Sequence, residues 1–220
     1  MNEKQITGIV AVVALIVGIY VAIVIAPPSV EDDGANTTAQ TQYLQQFPQP
    51  RELYDFTLTD HTGASVDKSV LTGKWSLLFV GYTYCPDVCP TTMAAVNAAY
   101  PELQSAATAP LQVIFLSVDP KRDTTERLGE YMTFFNDQFL GMTGEHSELF
   151  PLVRSMGMMY SMTESTDNPN YLVDHSASIV VINPDAQVIG RFKPQHKPGE
   201  LAISDTEQIL ADLPIIMRRG

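Results

Sequence analysis

Apolar positions along this chain fall into three regimes. From Gly8 to Ala26 ("GIVAVVALIVGIYVAIVIA") nineteen consecutive residues carry no charge and show no amphipathic period. Such a run spans about 29 Å as a helix at ~1.5 Å per residue, the thickness of a hydrocarbon core. A buried helix of a soluble domain is seldom apolar on every face. Lys4 precedes the run while Glu31, Asp32 and Asp33 follow it, which predicts an N-terminus in the cytoplasm and the remainder outside. Val24 and Ala26 resemble a signal-cleavage site, but Pro27 and Pro28 come next. The run also exceeds the about 7–15 residues of a signal core. An uncleaved transmembrane anchor over residues 1–26 is therefore expected. In residues 27–50 ("PPSVEDDGANTTAQTQYLQQFPQP") periodicity vanishes, predicting a flexible tether.

From residue 51 the pattern becomes that of a folded domain, expected to continue to residue 217. "YDFTLTDHTG" (54–63) alternates and turns at Thr62-Gly63, predicting an opening hairpin. "KWSLLFVGYT" (74–83) and "LQVIFLSVD" (111–119) are continuous apolar runs, as strands buried on both faces are. Helices are predicted over 91–107, broken or kinked at Pro101, over 123–136, capped by Asp123 or Thr124 with Glu126 in the first turn, and over 145–159. "ASIVVINP" and "QVIGRFKP" flank the turn Asn183–Ala186 and predict a second hairpin. "PGELAISDTEQILADL" (198–213) predicts a closing helix with Pro198 early in it. This order implies an α/β sandwich: a central mixed sheet flanked by helices, with an N-terminal β-hairpin.

Composition adds little beyond this. The 220 residues suit one domain plus an appendage, and 45% hydrophobic with 17% charged residues is ordinary for a globular protein. The formal charge of −12 argues against a nucleic-acid partner, since phosphate binding needs a basic surface.

Candidate chemistry centres on "GYTYCPDVCPTTM" (81–93), which holds both cysteines of the chain, Cys85 and Cys89. They follow the first buried strand, where functional loops of open α/β sheets gather. At i and i+4 of a helix start, their Cβ atoms stand about 5–6 Å apart. A disulfide needs about 3.5–4.5 Å; a metal bridging two thiolates at about 2.3 Å tolerates the wider pair. An oxidising exterior makes a structural bridge the plain reading, although a bridge around three residues removes little unfolded-chain entropy. A helix N-terminus favours the thiolate. Pro86 and Pro90 stiffen the loop, while Asp87 adds opposing negative charge or is simply solvated. Structural bridge, redox pair and ligand pair thus all remain open. Soft thiolates suit Cu(I), and a site that also takes Cu(II) needs a harder donor. Of the histidines, His61 lies in the hairpin turn, His146 near a helix start and His196 beside lysines. His175 directly precedes a predicted central strand in "YLVDHSASIVVINP", with Asp174 and Ser176 available to orient it.

Taken together, "GYTYCPDVCPTTM", "LSVDPKRDTTERLGEYMTFF", "FLGMTG" and "YLVDHSASIVVINPDAQVIGRF" closely resemble the SCO/SenC proteins over roughly residues 53–212. That resemblance implies a thioredoxin-like fold and a part in assembling cytochrome c oxidase. It implies that Cys85, Cys89 and His175 bind one copper ion, Cu(I) or Cu(II). The chain would then be a copper metallochaperone anchored in a bacterial cytoplasmic membrane, with its domain in the periplasm or otherwise outside. Its target would be an oxidase copper centre, CuA of subunit II, with a periplasmic copper donor and a thiol reductant as further partners. The alternative is a thiol–disulfide oxidoreductase in which Cys85 and Cys89 are the redox-active pair and keep the oxidase's copper-site cysteines reduced. Disulfide exchange has no need of a third ligand, so His175 separates the two. Met156, Met158, Met159 and Met162 either supply thioethers to an auxiliary copper site or fill the core. Asp119 either orients the copper loop or caps its own turn.

Overall fold

A computed structural model of the chain describes residues 41–162, 166–196, 198–199 and 201–218, together with Asn2 and Val17. The chain divides into Met1–Thr38 and Ala39–Gly220, and the sheet with its covering helices belongs to the second unit. The expected anchor, and the expected tether up to residue 40, lie outside the described residues. Among the described residues, no helix is long and apolar enough to cross a membrane.

The sheet is built around β4 (Trp75–Gly81) and β5 (Leu111–Ser117), which run parallel in register from Trp75↔Leu111 to Gly81↔Ser117. β6 (Leu140–Thr143) extends the parallel set, and β2 (Thr57–Asp60) with β3 (Ser65–Asp67) closes that side antiparallel. On the other side of β4 lie β9 (Ile179–Ile182), β10 (Gln187–Phe192) and β1 (Gln45–Glu52), all antiparallel to their neighbours. The eight strands are ordered β1-β10-β9-β4-β5-β6-β2-β3. β7 (Tyr160–Met162) and β8 (Val173–His175) form a separate two-stranded ribbon.

Every residue of β4 is buried because both faces are covered. Leu77, Phe79, Val113, Phe115 and Val181 pack against α1 (Val88–Ala106), α2 (Thr125–Phe135) and α4 (Thr206–Met217) through Met93, Val96, Leu128, Met132, Ile209 and Leu213. Their neighbours Leu78, Val80, Ile114, Leu116 and Val180 meet α3 (His146–Ser155) through Leu149, Leu152 and Val153 on the opposite face. The period of two along each strand thus divides one sheet between two cores.

Several boundaries differ from expectation. α1 starts at Val88 and continues through Pro101. α4 starts at Thr206, not 198: the Asp205 carboxylate accepts the Glu207 amide as N-cap, and the Ser204 hydroxyl is spent on the Phe192 and Ala177 carbonyls. The stretch expected to remain tether up to residue 50 instead supplies most of β1, an exposed edge strand containing Pro48 and Pro50. Just before it, the Asp212 carboxylate of α4, 2% exposed, accepts the amides of Gln42 (3.0 Å), Tyr43 (2.6 Å) and Leu44 (2.7 Å).

The register fixes where things meet. Phe79, near the end of β4, lies opposite Ile179, which opens β9; Ile179 lies opposite Phe192, and Arg191 opposite Gln45. The C-terminal end of β4, the start of β9 and the start of β1 therefore share one end of the sheet.

Candidate metal centre

Beyond Gly81 the chain leaves β4 through Tyr82, Thr83 and Tyr84, and Cys85 sits in the turn that enters α1. Asp87 is the N-cap residue of α1, but its side chain makes no capping hydrogen bond. The Cys85 sulfur lies near the amides of Asp87 and Cys89, which favour its thiolate. The helix begins two residues before Pro90, so Cys89 lies in its first turn. A proline there forfeits no hydrogen bond, because first-turn amides have no partner within the helix.

Cys89 is fully buried and Cys85 half-buried; neither is in a disulfide. A hydrogen bond from the Cys89 thiol holds the Cys85 thiol well below the ordinary cysteine range, against the cost of burial, and His175 and the two amides assist. Burial, followed by the neighbouring Cys85 sulfur, pushes Cys89 up. The pair therefore shares one negative charge, carried by the more accessible sulfur.

His175 closes the group from β8. Its Nε2 lies 3.4 Å from Cys89 Sγ, and its Nδ1 lies 3.4 Å from the Ser176 carbonyl. With the proton on Nδ1 and donated to that carbonyl, Nε2 is left free to ligate. The ring is also wedged edge-on between Phe79 and Tyr82, each 5.9 Å away between centroids. Of the two side chains expected to orient it, Asp174 is exposed and the Ser176 hydroxyl bonds the Met159 backbone. It is the Ser176 backbone that faces the imidazole.

One ligand atom each from Cys85, Cys89 and His175 lie within 4.8 Å of one another, a donor set able to hold a metal ion. An ion bonded to two sulfurs at about 2.3 Å and one nitrogen at about 2.0 Å needs separations near ~4 Å, so adjustments under ~1 Å suffice. The group opens to solvent through a cavity of about 270 Å³ lined by Tyr82, Cys85, Pro86, Val88, Leu172 and His175.

The other histidines lie elsewhere. His61 Nδ1 accepts the Gly141 amide at 3.2 Å, His146 Nδ1 is 2.8 Å from the Tyr160 hydroxyl, and His196 is exposed. Met156 and Met158 are buried among Leu149, Leu152 and Tyr160 and belong to the core, while Met159 is 73% exposed.

Around the site stand buried polar groups whose pairing the residue pattern did not foresee. Asp123, expected as a possible helix cap, is instead buried: its carboxylate accepts the Thr83 amide (2.8 Å), the Thr83 hydroxyl (2.7 Å) and the Ser117 hydroxyl (2.5 Å). The cap is Thr124. Asp119, also fully buried, accepts from the Tyr171 hydroxyl and from Arg122 Nε (2.5 Å), while its carbonyl takes the amides of Arg122 and Asp123. Of the two roles expected of Asp119, its carbonyl fills that of capping its own turn, while its carboxylate is spent on Tyr171 and Arg122. Only the hydrophobic flank of "LSVDPKRD", placing it at a strand end, hinted at this cluster.

A mixed sheet with helices on both faces, and two cysteines and a histidine converging where its central strand ends, define a thioredoxin-like protein with a soft-metal ligand set. The profile of the SCO1/SenC family matches residues 45–211, and the chain belongs to that family. It is 36% identical to the human mitochondrial SCO1 homolog over 151 residues, covering 68% of this chain and 50% of that protein. The chain thus spans about half the length of that relative. The solution structure of apo Sco1 from Thermus thermophilus superposes with a TM-score of 0.65 at 32% identity, covering 81% of this chain and 99% of that one. The crystal structure of Arabidopsis thaliana ScoI with copper bound gives 0.64 at 30% identity, covering 76% and 98%.

Proposed function

We propose that Cys85, Cys89 and His175 hold one copper ion as cargo and that the chain is a copper metallochaperone for cytochrome c oxidase, serving the CuA centre of subunit II. The observation that carries this reading is the convergence of the donors that copper in both oxidation states requires, two soft sulfurs and one imidazole. Cys85, already deprotonated and facing the cavity, is the first ligand to engage incoming metal; Cys89 gives up its proton as it joins. Release proceeds by ligand exchange, with target thiolates reaching the ion through the same opening. Oxidation of the two cysteines to a disulfide removes both sulfur ligands, so loading requires reduced thiols and a reductant. In this reading residues 1–26 anchor the chain in a bacterial cytoplasmic membrane, a short polar segment follows, and the domain works on the outer side.

A second reading, thiol–disulfide exchange on the oxidase's copper-site cysteines, is favoured by the Cys85 thiolate beside a buried Cys89 thiol. One experiment separates them. The reduced full chain in detergent is offered to a subunit II fragment whose copper-site cysteines are either reduced or joined in a disulfide. Transfer of about one copper to the reduced fragment, lost in His175→Ala, supports the chaperone. Faster reduction of the disulfide by copper-free protein, unaffected by His175→Ala, supports exchange.

A further inference from the structure

The ligands come from two segments far apart in sequence, the turn after β4 and the β8 ribbon. Both are tied to a third, the turn Ser117–Asp123 that follows β5. On one side Asp123 takes the amide and hydroxyl of Thr83, two residues before Cys85. On the other, Asp119 takes the hydroxyl of Tyr171, four residues before His175. Between them Arg122 bonds Asp119 through Nε and the Pro169 carbonyl through Nη1 (3.2 Å). Its guanidinium carbon lies 3.5 Å from the Tyr171 ring centroid, 4.9 Å from Tyr84 and 5.6 Å from Tyr82.

We infer that this turn is a bracket that sets the spacing between the cysteine pair and His175, with Asp119, Arg122 and Tyr171 as positioning residues for the metal centre. Only two of the three donors share a local element; the helix start fixes Cys85 against Cys89 without help. The third donor arrives on a three-residue strand whose ladder partner is another three-residue strand. A ribbon so short does not hold its own position, and buried, charge-assisted hydrogen bonds are the kind that do. Tyr171 is the point where the bracket grips the histidine segment.

Tyr171→Phe tests this, because it keeps the ring against Arg122 and removes one donor. The inference rests on copper binding at this site, but its first readout does not. Hydrogen exchange on the metal-free chain is expected to be about tenfold faster for the amides Val173–His175 and unchanged for α1, as the loss of one hydrogen bond to a carboxylate allows. With copper, Cu(II) should be held about tenfold more weakly and Cu(I), satisfied by two sulfurs, within about twofold. That difference raises the copper potential by about 59 mV. On a His175→Ala background the same change should do nothing further, and Asp119→Asn should reproduce it. Unaltered exchange at Val173–His175 overturns the bracket. So does equal weakening of both oxidation states, or an effect that persists without His175, since either is what general destabilisation gives. Failure of the unmutated chain to bind copper overturns the function proposed above and leaves the exchange measurement to judge the bracket.

Discussion

Gly81→Ala offers a direct measure of how tightly the proposed metal centre is built into the sheet. Gly81 is the last residue of β4, and a Cβ placed there would sit 2.7 Å from Cys89 Sγ and 2.8 Å from Phe115 Cε2. Ordinary carbon–sulfur contact is about 3.7 Å, so the overlap is about 1 Å. Cys89 is fully buried on the first turn of α1, and Phe115 is fully buried in β5, so neither has solvent to move into. Overpacking of this kind costs about 1–3 kcal/mol, which for a domain of this size lowers the unfolding midpoint by about 5 °C. The functional effect is larger in proportion. Ligand constellations tolerate about 0.5 Å of misplacement, and a sulfur displaced further no longer meets an ion shared with His175. Thermal unfolding of the metal-free protein, paired with competition for Cu(I) against a chromophoric chelator, should show a modest stability loss and a loss of copper affinity of at least about tenfold. A variant that loses the expected stability yet keeps wild-type affinity and an unchanged sulfur-to-Cu(II) charge-transfer band would refute the claim that the strand end positions Cys89.

Iodoacetamide at pH 6, followed by peptide mapping, should modify Cys85 well before Cys89, since the hydrogen bond from Cys89 keeps Cys85 a thiolate there and burial protects the other; equal labelling contradicts this. Asp212→Ala should cost about 2–4 kcal/mol in denaturant unfolding by stripping three amides of their acceptor, and should speed proteolysis near residues 42–44, with copper affinity of the folded protein within about twofold. At Asp60, burial raises the carboxyl pKa, but hydrogen bonds from Thr62 and Ala64 outweigh it and leave a net lowering. Its stabilisation is therefore present above the unfolded carboxylate value of about 3.9 and is lost as pH falls through the lower folded value. The stability gap between wild type and Asp60→Asn should be full at pH 5 and close below about pH 4; a gap that widens on acidification overturns the assignment.

The parts of this fold that were legible were those whose burial writes a period into the chain. β4, β5 and the β9–β10 hairpin announce themselves because both their faces are covered, and Cys85, Cys89 and His175 because soft and imidazole donors flank those strands. β1 was hidden because seven of its eight residues are exposed and its order comes from backbone pairing, to which side-chain patterns are blind. β7 and β8 are too short to show alternation. The start of α4 was misplaced because Pro198 is as good a helix opener as Asp205, and only the tertiary bonds of Ser204 decide between them. Asp123 read as a helix cap, Asp119 as a turn cap or loop-orienting residue, and Arg122 and Tyr171 did not stand out, because the pairing that justifies their burial spans up to 52 positions.

The Asp212 clip has a consequence for how the two ends of the domain come apart. It pins residues 42–44 beside the start of β1, at the same end of the sheet as Cys85, Cys89 and His175 and three strand steps from β4, about 15 Å at ~4.8 Å per step. The clip thereby ties the order of the first strand to that of the last helix, so that fraying of α4 and detachment of β1 are one event rather than two.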